Sequence, residues 1–455
     1  MDFWANPVVL TGLVLVALLA FAEVVRAAVE PFRRFGLPAS IIGGTFGLIL
    51  GPSVLDWIPV DLSVMRTGVY HALGLVFIAL SLQTPAAGTG AGGKSMAFGI
   101  TTLVALQTVV GLAVVLALGT VVGTHLHPGF GLMLPLGFEQ GPGQALAMGS
   151  AWSKTGMDSG ADVGLIVAAI GFGWAIFIGI PLVSWGKSRG YISTHRDGEQ
   201  IDGGSAASTA GAPGGLELLA RQVVIIGVLY LLTYGICSGI SIGLTAAGAE
   251  DIGHMIWGFH FMIGALLAMG FRPLIARSPG GSPLHDGLLG RIAGLTVDVS
   301  TCAALAAVQL SVLAANWVSI LLVTTAGGLL TLAACVWLTV RAFRNAPFEH
   351  CVILFGTATG TLPMGLALLR IIDPELRSPA PTSMVLGSAG AVLGVAPILL
   401  AVHPIPIVGW TDNYPTAGWI ALGVSVVYVL VTVGLWARFG GLNLREKGWA
   451  EWDSR

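Results

Sequence analysis

With 455 residues the chain has the length of two or three soluble domains, yet 55% of its residues are hydrophobic, 10% are charged and the mean hydropathy is +0.86. These values exclude a soluble globular assembly and define a polytopic membrane protein, since the apolar runs are many and closely spaced. The net charge of −2 carries no signal for a nucleic acid or an acidic partner.

A membrane-spanning helix needs roughly 17 to 25 apolar residues to cross about 30 Å of hydrocarbon. In the first half such windows fall at 7–27, 38–56, 68–84, 95–120 and 161–185. The first is expected to be a true span rather than a cleaved signal, because no basic residue precedes it and no small-residue cleavage site follows. A polar stretch rich in Gly, Ser and Ala then reads as a flexible cytoplasmic linker over 191–216. The second half offers windows at 219–244, 254–271, 293–315, 317–340 and 380–402, and the remaining segment, 403–455, adds one more at 417–437. Its charged, tryptophan-bearing tail from Arg438 to Arg455 suits the inner membrane interface.

Two apolar segments are interrupted. Leu134 to Met148 is broken by Gly137-Phe138-Glu139-Gln140-Gly141-Pro142-Gly143-Gln144, and Ile353 to Leu369 by Gly356-Thr357-Ala358-Thr359-Gly360-Thr361-Leu362-Pro363. Unwound backbone persists at membrane depth only where it is buried in protein or lines a polar cavity, and paired breaks of this kind mark transporter binding sites. The two are therefore expected to be re-entrant hairpins, at 128–152 and 347–370.

Basic residues test that topology. With the N-terminus outside and the C-terminus cytoplasmic, nineteen of the 21 Lys and Arg residues fall in inner loops, the exceptions being Arg66 and Lys154. Counting either hairpin as a full crossing inverts every later loop. Five spans per half then place the halves in opposite orientations. The expected fold is all-α, with two inverted-topology repeats (1–190 and 217–402) of five transmembrane helices, each with a re-entrant hairpin, plus one extra C-terminal helix.

A carboxylate at membrane depth costs about 2.5 to 3.5 kcal/mol, so Glu139 calls for a cation, a proton or a donor beside it, unless it snorkels to the outer headgroups. Hard oxygen ligands suit sodium. The expected sodium ligands are Glu139 with Gly137 and Gly141 in the first hairpin, and Gly356 with Thr357 in the second. The expected solute-binding side chains are Gln140, Gln144, Ser150, Thr359, Thr361 and Arg370, whose amides, hydroxyls and guanidinium suit a carboxylate. Arg370 can instead pair with Asp373. Asp298 is a further polar candidate, facing either the site or the inner interface. Cys237, Cys302, Cys335 and Cys351 lack metal-ligand spacing and read as core residues, and the histidines (His71, His254 and His260 near helix ends; His125, His127 and His403 in outer loops) form no metal pattern. No nucleotide-binding loop or nucleophile–base set is present, so an enzyme is not expected and an ion gradient is the energy source for active transport.

Across nearly its whole length the chain resembles the glutamate:sodium symporter family of bacterial inner-membrane transporters. The resemblance is carried by Pro38 to Pro52 (PASIIGGTFGLILGP), by Gly149-Ser150-Ala151-Trp152-Ser153 and by Gly356 to Pro374 (GTATGTLPMGLALLRIIDP). It departs at the first tip, where glutamate-carrying members look like GGHGTGAAW and this chain adds Glu139, Gln140 and Gln144. The resemblance implies sodium-coupled uptake of glutamate or a similar small carboxylate-bearing solute by a homodimer in the inner membrane. It also implies that a transport domain holding the hairpins slides against a scaffold, as in an elevator. A passive channel and a proton-coupled carrier or exchanger of organic anions are the alternatives.

Overall fold

The computed structural model describes residues 6–84, 90–123, 126–193, 215–277, 283–408, 415–446 and 448–449. Most of the expected linker and the end of the tail, like His125, lie outside the described residues. Helices account for all regular structure among them, and eleven are long and apolar enough to cross a membrane.

In chain order the main helices are α1 (Pro7–Ala28), α2 (Ala39–Leu50), α3 (Leu62–Ser81), α4 (Ala91–Val122), α5 (Gly129–Phe138), α6 (Pro142–Trp152), α7 (Gly160–Phe177) and α8 (Gly179–Ser188). The second half follows with α9 (Gly215–Ala246), α10 (His260–Ala276), α11 (Asp286–Ala306), α12 (Leu310–Ala342), α13 (Pro347–Leu369), α14 (Ala380–Pro397) and α15 (Thr416–Leu435). The Asp61 carboxylate caps α3 by accepting from the Ser63 and Val64 N–H groups, and so starts this helix six residues before the apolar window at 68.

One expected span is shorter than its apolar window. The window at 38–56 yields only the 12-residue α2, about 18 Å long at 1.5 Å per residue. Gly51 and Pro52 end it, and the chain hooks back so that the Trp57 N–H donates to the Leu50 carbonyl at 2.8 Å, with Asp56 at φ 53°. Conversely, α13 meets the length and hydropathy of a span although its backbone is broken at Gly360 and Thr361.

The helices pack as two groups. The first holds α1, α2, α3, α9, α10 and α11; the second holds α4 to α8 and α12 to α15. In the first, α2 lies on α11, with Gly47 so close that a Cβ there would come within 2.7 Å of the Ala306 Cβ. In the second, α4 crosses α5 at Gly111 and Gly131, backbone against backbone. Phe138, Trp152, Phe348 and Phe355 are fully buried in this group. Its centre is α13, with 78% of its span buried against 22% for α1, α9 and α15. The groups meet where α6 lies on α3 and on the turn at 256–259. There the Arg66 guanidinium on α3 pairs with the Asp162 carboxylate on α7.

Candidate functional site

Both interrupted segments double back. Pro135 sits inside α5, and its carbonyl accepts from both the Glu139 and Gln140 N–H groups, at 3.2 and 3.1 Å, which closes the end of the helix. Gly141 then takes φ 90° and ψ 177°, a region that essentially only glycine occupies, and α6 starts at Pro142. In α13, Gly360 (φ −143°, ψ 25°) is followed by Thr361 at φ 67° and ψ 170°. Beyond this break the chain returns along itself. A Cβ on Gly356 would come within 2.7 Å of Gly365 Cα, although nine residues of continuous helix would separate them by about 13 Å.

The two breaks meet. A Cβ on Gly141 would lie 2.7 Å from Thr361 Cγ2. α7 passes under both, since Gly171 lies against the Thr359 carbonyl and the Phe138 ring. Pro363 has no N–H, so this Thr359 carbonyl receives no bond from four residues on, as it would in a regular helix. The start of α6 and the returning arm of α13 thus converge with their N–H ends, while α5 and the outgoing arm of α13 converge with their carbonyl ends. The first pair favours negative charge and the second favours a cation.

The expected site residues divide accordingly. Glu139 and Gln140 are half-buried beside the first break, and the Gln140 amide donates to the Glu139 carboxylate. Gln144 is buried and its Oε1 has no hydrogen-bond partner; the same holds for the Thr357 hydroxyl, which faces Gly365. Such orphaned oxygens are costly unless a ligand, ion or water completes them. Thr359 is fully buried, and its hydroxyl donates to the Phe355 carbonyl at 2.8 Å, so its proton is committed within the helix. Thr361 lies at the break itself.

Other candidates lie elsewhere. Gly137 and Gly356 sit in tight packing, the first against Val167 and Ala168 and the second against Gly365. Ser150 and Arg370 are exposed, and each is nine residues, about 13 Å of helix, past its break. The Asp373 carboxylate accepts from the Arg377 and Ser378 N–H groups. Asp298 belongs to the first helix group, where it accepts from the Ser40 hydroxyl at 3.0 Å. His403, expected in an outer loop, is fully buried with its Nε2 3.5 Å from the Thr108 hydroxyl. Sequence reasoning also passed over Gln107, buried in α4 and bonded to the Ala358 carbonyl at 2.8 Å. Its signal was an amide alone in a long apolar run. Among the described residues no group of three His, Cys, Asp or Glu side chains converges. Comparison with family models, curated proteins and solved structures finds no match to this chain.

Proposed function

We propose that this protein is a sodium-coupled symporter, in the inner membrane, of glutamate or a similar small carboxylate-bearing solute, which binds where the two breaks meet. The observation that carries the reading is the contact of Gly141 with Thr361 between two helical hairpins at corresponding places in the two halves. Convergent N–H ends suit the solute carboxylate, and convergent carbonyl ends suit sodium. Gln140, Gln144, Thr359 and Thr361 line the solute side. Glu139, the backbone at Gly141, the Gln144 Oε1 and the Thr357 hydroxyl supply the hard oxygen donors that sodium prefers, two of them orphaned without it.

The reading includes two inverted repeats. α1, α2, α3, α4, the first hairpin and α7–α8 correspond in order to α9, α10, α11, α12, the second hairpin and α14. Packing follows the same correspondence: α2 lies on α11, and its counterpart α10 lies on α3. The hairpins are re-entrant from opposite faces, and the group that holds both slides as a transport domain against α1–α3 and α9–α11. A homodimer formed through the scaffold completes the proposal.

A thermal-shift screen of the purified protein over amino acids and dicarboxylates, with sodium or choline as the cation, tests the site. Stabilisation by one anionic solute that requires sodium is expected. Stabilisation that is indifferent to the cation would remove sodium coupling.

A further inference from the structure

Gln107 is the one amide in the middle of α4, and it is fully buried. Its Nε2 donates to the Ala358 carbonyl at 2.8 Å and to the Thr331 hydroxyl at 3.0 Å. The Thr331 hydroxyl gives its own proton to the Gly327 carbonyl at 2.7 Å, so toward Gln107 it can only accept. Two acceptors on one side fix which end of the amide is nitrogen. The Oε1 atom is left buried without a partner. An orphaned oxygen costs free energy that an apolar side chain of similar size would avoid, so packing alone does not explain a glutamine here.

Its two donated bonds do. Ala358 lies two residues before the break at Gly360 and Thr361, and a continuous helix would aim the Leu362 N–H at its carbonyl. The reversal carries Leu362 into the returning arm. We propose that Gln107 is a positioning residue for the second tip: its amide holds the Ala358 carbonyl at the open end of the outgoing arm and ties that arm to α4 and, through Thr331, to α12. Thr357, Thr359 and Thr361 flank the held carbonyl, so their placement depends on it. The transport consequences rest on the function proposed above; the positioning itself does not.

The test compares wild type with Gln107→Met and Gln107→Glu. Methionine keeps the volume and removes both donors. The carboxylate of Gln107→Glu cannot donate, but once protonated it gives one hydrogen bond back. Hydrogen exchange, corrected for intrinsic rates at pH 6 and pH 8, reads the backbone over 353–369. In Gln107→Met these amides should exchange about tenfold faster at both pH values, the size of one lost buried hydrogen bond, with α1–α3 and α9–α11 unchanged. In Gln107→Glu the excess should shrink at pH 6. Wild-type exchange over 353–369 in both variants, or equal loosening throughout the protein, would overturn the proposal. In proteoliposomes the half-saturating sodium and solute concentrations should rise about tenfold in Gln107→Met, with the maximal rate within about twofold of wild type. If wild type shows no sodium-driven uptake, the symporter reading fails, and the exchange data still decide the role of Gln107.

Discussion

Gly141 and Thr361 occupy the same unusual backbone region, φ 90° and ψ 177° for one and φ 67° and ψ 170° for the other, and they touch. Glycine adopts this conformation without penalty, whereas a β-branched residue is held there at a cost of about 1 to 3 kcal/mol. The strain at Thr361 lies at the point where the two breaks meet. Two helix starts and two helix ends share that point, and ligand chemistry is expected there.

Gly141→Ala should therefore be severe. It combines an unfavourable φ with a Cβ 2.7 Å from Thr361 Cγ2, and a loss of about 2 to 4 kcal/mol in stability or binding is expected. Thermal melting of the purified variant, with and without ligand, measures it. A melting curve and ligand response equal to wild type would show that the tips do not press on each other.

Thr361→Gly should act in the opposite sense on stability. Releasing the strain gains about 1 to 3 kcal/mol, less about 0.5 to 1 kcal/mol for the added freedom of the unfolded chain. The melting temperature should rise by a few degrees while solute affinity falls at least tenfold through loss of the hydroxyl and of the methyl that abuts Gly141. A variant that binds as well as wild type would remove Thr361 from the site.

How much of this is legible in the sequence depends on the element. Gly141-Pro142 and Gly360-Thr361 were readable as breaks, because glycine and proline punctuate apolar runs for stated physical reasons. That the tips touch was not readable, since the contact joins residues 220 positions apart in the chain. Reach along a helix is not readable from sequence proximity: Ser150 and Arg370 follow the breaks closely in sequence, yet 1.5 Å per residue carries both away from the tips. The end of α2 was hidden by hydropathy, since Val54, Leu55 and Trp57 extend the apolar window through a turn that Gly51 and Pro52 impose.

The Arg66–Asp162 pair joins the two helix groups, with side chains 25% and 13% exposed. Sliding of one group against the other must separate them. Arg66→Cys with Asp162→Cys, bridged by a short bifunctional thiol reagent in a background lacking the four native cysteines, should reduce transport to background, and a cleavable reagent should allow recovery. Full transport by the bridged protein would rule out movement at this interface.

His127 precedes the first hairpin, and its Nδ1 accepts from the Gly129 N–H at 3.0 Å, which requires an unprotonated nitrogen. Burial pushes the imidazole down to about 4 from an ordinary 6.5, against a weaker opposing contribution from the Thr155 backbone. Between these values the unfolded chain binds the proton and the folded one does not, so stability falls as pH drops from about 6.5 to 4, by roughly 3 kcal/mol at most. Between pH 6.5 and 4 the melting temperature of wild type should fall more steeply than that of His127→Asn. Parallel slopes would mean that His127 is already charged in the fold.

The most direct measurement is radiolabelled solute uptake into proteoliposomes with an imposed sodium gradient, followed by its collapse. Accumulation above equilibrium that needs the gradient, disappears in choline, and is weakened in its sodium dependence by Glu139→Gln is the expected result. Equilibration without accumulation, at the same rate in sodium and choline, would identify a passive pathway and contradict sodium coupling at the paired tips.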